Sequence, residues 1–372
     1  MKKLLSIIVS LLVVCGLLAF GAQRLQTSSG STGKKVLNLY TWGDYIDPSL
    51  LTKFQKQTGY HVNVETFDSN EAMYTKIKQG GTSYDLTVPS DYMIEKMKKA
   101  HLLLPLDKSK LTGMKNYDPR FMNLAFDQHN RYSVPYFWGT LGIIYNDKYV
   151  QPGSIQHWND LWQRKYHNKI MLIDSARDVM GFALASMNQS MNTTDPATLL
   201  AARNKLNRLS PNVKAVVADE IKMYMIQNEA AIAVDWSGEA SEMLAGNSHL
   251  HYVVPSEGSN LWFDNLVIPK TAKHFKAIYA FLNFMSEPKN AAQNAEYIGY
   301  ATPNRKAKAL LPKSIRNDRQ FYPDNNTIKH LQIYQDLSPA KVGLYNDRYL
   351  EFKMHHWLTC RVSIDISSNQ YH

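Results

Sequence analysis

Four short segments of this 372-residue chain place aromatic rings beside carboxylates, and two more carry one of the two groups alone. They are Thr41-Trp42-Gly43-Asp44-Tyr45, Pro89-Ser90-Asp91-Tyr92, the stretch Asp174 to Asp178, Asp235-Trp236, Trp262-Phe263-Asp264 and Gly299-Tyr300. A flat aromatic face attracts a cation and also covers methylene groups. A carboxylate in a cleft makes a charge-assisted hydrogen bond to an ammonium. A linear apolar chain bearing ammonium groups needs both at once. Two or three such bonds at about 1.5–3 kcal/mol each, with a few cation–π contacts, reach the roughly 8 kcal/mol of a micromolar site. An anion site would want arginines and free helix N-termini, and Arg177 is the lone arginine in these segments.

Motifs for catalysis are missing. The chain has no G-x-S-x-G, no H-E-x-x-H and no G-x-G-x-x-G. Gly30 to Lys34 imitates a phosphate loop but has two residues between its glycines instead of four. Cys15 and Cys360 form no C-x-x-C pair, and the histidines show no ligand spacing, so neither a metal nor a cofactor is expected. The sequence reads as a binding protein and not an enzyme.

The aromatic–acidic segments follow short apolar runs. Val36 to Tyr40 reads as a strand. Asp47-Pro48 caps a helix ending at Gly59, and His61 to Val64 alternates as a second strand. Asp68-Ser69-Asn70-Glu71 reads as a capping box for a helix stopping at Gly80-Gly81, and Tyr84 to Val88 as a third strand. The same grammar returns with a strand at Ile170 to Ile173, a helix at Arg177 to Met187 and a helix capped by Asp195-Pro196. Strands follow at Ala230 to Val234, Tyr252 to Val254 and Leu261 to Ile268, and then a long helix through Ile278 and Met285. Strand–helix alternation predicts α/β lobes with mainly parallel sheets, and a ligand at the carboxyl ends of the strands between them.

The net charge of +10 invites a nucleic-acid reading. Half of it lies in residues 1–35, where Lys2, Lys3, Arg24, Lys34 and Lys35 meet no acid. Two lysines followed by the apolar run Leu4 to Phe20 read as an export signal or membrane anchor, with a flexible linker from Thr27 to Gly33. A lipid-modified Cys15 would want a small residue before it, and Val14 stands there. The remaining 337 residues carry only +5, which gives no steering for a cation. Selectivity must then come from a few local groups.

With these residues in view, the chain resembles the extracytoplasmic spermidine/putrescine-binding proteins of ABC transporters (the PotD type). The resemblance runs from Val36 to about Lys353. Its strongest stretches are Tyr40 to Tyr45, Ser69 to Tyr74, Tyr84 to Ser90, Asn192 to Pro196 and Ile298 to Asn304. It implies a two-lobed type II periplasmic-binding-protein fold that closes on its ligand: residues 36–138 plus 256–303 in one lobe, 139–255 plus 304–356 in the other, and an atypical tail over 357–372. It also implies a polyamine ligand, a permease and its ATPase as partners, no nucleic acid, and a place outside the cytoplasm, in the periplasm or on the outer face of the membrane. The ligand residues implied are Trp42, Asp44, Tyr45, Ser90, Tyr92, Ser175, Asp178, Trp236, Trp262, Asp264, Tyr300 and Gln335, with Asp264 first among them. Ser175 stands where some members have a second Asp, and the match around Tyr334-Gln335 has two registers. Another solute on the same fold, Fe(III) or a thiamine-like cation, is the alternative.

Overall fold

The computed structural model describes residues 35–218 and 220–368. The targeting segment and linker expected over residues 1–35 lie outside them except for Lys35. Its chain starts β1 (Val36–Trp42), α1 (Pro48–Thr58), β2 (His61–Phe67), α2 (Asn70–Gln79), β3 (Leu86–Thr87), α3 (Asp91–Lys99), β4 (Leu103–Leu104) and β5 (Ser133–Asn146). Next come β6 (Ile170–Ile173), α4 (Ala176–Ala185), α5 (Pro196–Leu209), β7 (Val213–Val217), α6 (Glu220–Ile226), β8 (Ile232–Trp236), α7 (Ser237–Gly246) and β9 (Leu250–Val253). It closes with β10 (Leu261–Pro269), α8 (Phe275–Ser286), α9 (Pro288–Ile298), the short α10 (Arg305–Leu310), α11 (Lys313–Arg316) and α12 (Asn325–Ile328), and the long α13 (Pro339–Ser368).

The caps follow the sequence closely. Asp47 Oδ1 accepts from the Ser49 amide at 2.8 Å, and Asp195 Oδ2 from the Thr198 amide at 2.8 Å. Each such cap contributes about 1 kcal/mol. The expected capping box is a simpler cap: Ser69 Oγ accepts from the Ala72 amide at 3.2 Å. Glu71 stands one residue too early to reach back. The third strand is shorter than expected, Leu86–Thr87 instead of Tyr84 to Val88, and Pro89, which offers no N–H, lies just beyond its carboxyl end.

The strand order is β2-β1-β3-β10-β5-β8-β6-β7, with β4 on β10 and β9 on β5. β1 runs parallel to β2 and β3, and β6 parallel to β7 and β8. β5 joins the two parallel groups. Its first part pairs antiparallel with β10 through Thr140↔Leu261, and from Leu141 onward it pairs with β8 and β9. The chain crosses beside it twice more, at Asn260, whose carbonyl accepts from Leu141, and at Gln332, whose amide donates to Ser259.

Two masses of apolar side chains flank that crossing. One is built by residues 37–138 and 261–322. The other lies on the two faces of the second strand group, from residues 141–252 and 334–352. Phe54 of α1 is fully buried in the first and meets Phe281 and Phe284 edge-on at 5.2 and 5.3 Å. Phe54→Ala should lower unfolding stability by about 3–5 kcal/mol through the cavity it leaves, read from a denaturant midpoint with unchanged slope. The last helix carries Tyr345, Tyr349 and Phe352, buried at i, i+4 and i+7, onto the second core. It continues to Ser368, into the region expected to be an atypical tail.

Candidate functional site

The predicted residues gather where the parallel strands end. Trp42 closes β1, Ser90 follows β3, Ser175 follows β6 and Trp236 closes β8. These are carboxyl ends, the edge at which open α/β sheets place ligands. Helix starts lie at the same edge: Ser90 caps α3, Ser175 caps α4 and Trp236 precedes α7. A helix N-terminus favours an anion. Each of these three already carries an acid in its first turn: Asp91, Asp178 and Glu239. The edge is thereby made acidic.

Asp264 sits on β10 at a shift of register between Asp264 and Asn265, a bulge of the kind that re-aims a side chain. Ser90 Oγ donates to its Oδ1 at 2.7 Å, and the Tyr45 hydroxyl donates to its Oδ2. Asn70 fixes Ser90 in turn, donating from Nδ2 at 3.0 Å and accepting the Ser90 amide at 3.1 Å. Burial pushes the Asp264 carboxyl up to about 6, against the pull of its two hydroxyl donors. Beside it, Asp91 accepts the amides of Tyr92 and Phe263 at 2.6 and 3.1 Å. Burial carries its carboxyl up to about 8 despite those bonds, and the Asp264 charge adds to the rise.

Across the junction, Ser175 Oγ donates to Asp178 Oδ2 at 2.7 Å, and the Tyr334 hydroxyl lies 3.0 Å from Asp178 Oδ1. Asp178 is raised by burial, which outweighs Ser175, Tyr334, the Arg177 guanidinium and the Trp236 indole. Asp235 is raised well above the usual range, by burial first and then by the Glu239 charge. None of these four aspartates is more than 6 % exposed.

The aromatic residues surround this group. Tyr300 meets Tyr45 edge-on at 5.4 Å and Trp262 at 5.6 Å. Trp42 packs on Phe67 at 4.6 Å and donates its indole N–H to the Val88 carbonyl at 2.9 Å. Tyr92 touches both cores. Trp262 packs against β5 at Gly139, where any Cβ would overlap its ring. The cations nearby are few. Arg177 is stacked over Tyr334 and Tyr345 at 4.5 and 4.7 Å. Lys222 pairs with Glu239 at 2.9 Å.

Ten of the twelve predicted residues thus lie at this junction. Asp44 lies apart: it occupies an exposed left-handed turn, φ 48°, that carries the chain from Trp42 to Tyr45. Gln335 is exposed too, and its backbone donates to Asn192 at 3.0 Å. Its neighbour Tyr334 takes the inward position. Asp91 and Asp235 stood in the aromatic–acidic segments but not among the implied ligand residues, and Glu239 and Tyr334 were not among them either. A carboxylate in the first turn of each helix that starts at a strand end is the signal that finds Asp91 and Glu239.

A two-core α/β fold with a buried, aromatic-lined acidic site at strand ends defines a class of solute-binding proteins. The chain matches the family model of bacterial extracellular solute-binding proteins over residues 49–323 and belongs to that family. Its members bind and present solutes and are not enzymes. The chain is 38 % identical to the spermidine/putrescine-binding periplasmic protein of Escherichia coli strain K12 over 343 residues, which cover 92 % of this chain and 97 % of that one. It is 31 % identical to the putrescine-binding periplasmic protein SpuD of Pseudomonas aeruginosa, over 82 % of this chain and 88 % of SpuD. Among solved structures, the spermidine/putrescine ABC transporter substrate-binding protein PotD of Streptococcus pneumoniae is 56 % identical and superposes with a TM-score of 0.82. It covers 87 % of this chain and 99 % of PotD. The place of this protein is therefore outside the cytoplasm. No helix among the described residues is long and apolar enough to cross a membrane.

Proposed function

We propose that this protein captures spermidine or putrescine outside the cytoplasm and delivers it to the permease of an ABC transporter, whose ATPase drives uptake. The observation that carries the reading is a charge imbalance. Asp91, Asp178, Asp235, Asp264 and Glu239 share one junction with two cations, Arg177 and Lys222. Burial has pushed all four aspartates up, and a chain of ammonium groups would restore their charged form. Trp42, Trp236, Trp262, Tyr45, Tyr92 and Tyr300 supply faces for the methylenes and the cations. In this reading Asp264 holds one terminal amine, with Tyr45 and Ser90 orienting it, and Asp178 holds the other end. Ser175 orients Asp178 instead of contacting an amine by charge.

In this reading the first lobe is 36–138 with 256–303, extended to 322 by Ala307, Leu311 and Tyr322, which are buried in the first core; the second is 139–255 with the remainder of the chain to 356, and the two close by flexing where β5 and residues 259–261 and 332 cross. Residues 1–35 would carry the chain through export and hold it at the membrane. The polyamine names of the relatives in E. coli, P. aeruginosa and S. pneumoniae support the same ligand class.

The test is a thermal-shift panel of putrescine, spermidine, spermine, Fe(III) and thiamine. A ligand at 100 times its Kd stabilises by about 2.7 kcal/mol. Spermidine or putrescine should therefore raise Tm by several degrees. A shift with Fe(III) or thiamine and none with the polyamines would overturn the assignment.

A further inference from the structure

Tyr300 belongs to the first core by packing, yet its hydroxyl leaves that core. It donates to Glu239 Oε1 at 2.7 Å, on the first turn of α7, whose Ala240 and Met243 are buried in the second core. The other Glu239 oxygen is held by Lys222 at 2.9 Å. One residue earlier, Gly238 meets the Tyr300 ring so closely that any Cβ there would overlap three of its carbons. The ring rests on bare backbone at a helix start, with a carboxylate beside it to receive its hydroxyl. Both features concern one ring, and both join the two cores.

We propose that Gly238 and Glu239 are positioning residues that form a docking notch for Tyr300, and that seating Tyr300 in it completes closure. The inference rests on the reading of the protein as one that closes on a polyamine. Gly238 sets how near the two halves approach, because the smallest side chain would hold Tyr300 off. Glu239 sets the ring's azimuth, because its acceptor is fixed from behind by Lys222. A seated Tyr300 presents its edge to Tyr45 and Trp262, the aromatic wall beside Asp264. An unseated one leaves that wall incomplete. Neither residue need touch the ligand. The exposed Lys99–Asp336 pair at 3.0 Å also links the halves, but a surface ion pair is weak and it serves as the control.

The experiment measures radius of gyration by small-angle scattering, and spermidine affinity by calorimetry, on the purified protein and its variants. Wild type should compact on saturation with spermidine. Gly238→Ala should keep its circular dichroism and bind at least tenfold more weakly, with a larger radius than wild type at saturation. Glu239→Ala should lose about three- to tenfold, Glu239→Gln should recover most of that loss because its amide oxygen still accepts, and Lys99→Ala should stay within twofold. If Gly238→Ala does not fold, the cycle of Glu239→Ala and Tyr300→Phe decides. Losses that fail to add support the notch, and losses that add in full overturn it. Gly238→Ala that binds and compacts like wild type also overturns it. Wild type that neither binds nor compacts with spermidine would instead defeat the polyamine reading itself.

Discussion

Asp264→Asn should abolish the thermal stabilisation that spermidine or putrescine gives, while leaving the ligand-free protein as stable as before or more so. The two halves of this expectation have one cause. Asp264 is buried, and its charge is supported by two hydroxyl donors, Ser90 and Tyr45, that only partly offset the loss of water. Neutralising it removes a desolvated charge from the empty site, which favours folding. The same change takes the carboxylate from an ammonium. It also turns an N–H₂ donor toward a site where both neighbours donate. Truncating one partner of a buried, hydrogen-bonded charge pair costs about 2–5 kcal/mol, so affinity should fall by about 30-fold or more. Titration calorimetry on the variant checks the first half and a ligand-free melt the second. A variant that still shifts with polyamine would show that Asp264 does not hold the amine. One that melts far below wild type without ligand would show that the carboxylate is structural.

Much of the frame that holds Asp264 is visible in sequence for local reasons. Asp47-Pro48, Ser69 and Asp195 announce helix starts through caps that depend on neighbours two or three residues away. The strands Val36–Trp42 and Ile170–Ile173 are short apolar runs between such signals. β5 is different. Its 14 residues carry Pro135, Gly139 and Gly142, which locally argue against a strand. Its partners lie about 90 to 130 residues away, as Leu141↔Trp236 and Trp138↔Phe263 show. The glycines make sense only once an aromatic ring is laid against each. The strand that joins the halves is therefore the one that local pattern hides.

The site divides in the same way. Tyr45 and Ser90 were legible because the motifs that carry the resemblance contain them, and Trp262 and Asp264 because they form an aromatic–acidic segment of their own. Tyr334 was not, because a one-residue shift separates it from Gln335 and no periodic element anchors the register there. Residues 332–335 are held by side chains of a distant segment, Asn192 and Ser190 among them. Asp235 was visible beside Trp236, but not as part of an unbalanced acidic cluster: its burial and its closeness to Glu239 and Asp178 appear only in three dimensions.

That unbalanced charge sets opposite pH dependences for folding and for binding. A carboxyl whose folded value is raised binds its proton more tightly when folded. It contributes stability that is fully present below the unfolded value and lost as pH rises through the folded one. For Asp264 that window runs from about 4 to about 6, and for Asp91 from about 4 to about 8. Raising the pH from 4 to 8 should therefore cost the ligand-free protein stability at these two sites. Polyamine binding has the reverse sign, because the ammonium groups stay charged over this range while the carboxylates that receive them ionise only as pH rises. Affinity should level off toward pH 8 and fall below pH 6 by up to about tenfold per pH unit for each proton that the ligand displaces. The spermidine-induced rise in Tm should then be small at pH 5 and large at pH 8, with the ligand-free Tm moving the other way across the same buffers. In Asp264→Asn the steepest part of the ligand-free trend between pH 4 and 6 should flatten, while the part between 6 and 8, to which Asp91 contributes, persists. Affinity that grows on acidification would mean that the bound solute is recognised by the protonated acids, and that its charge is not positive.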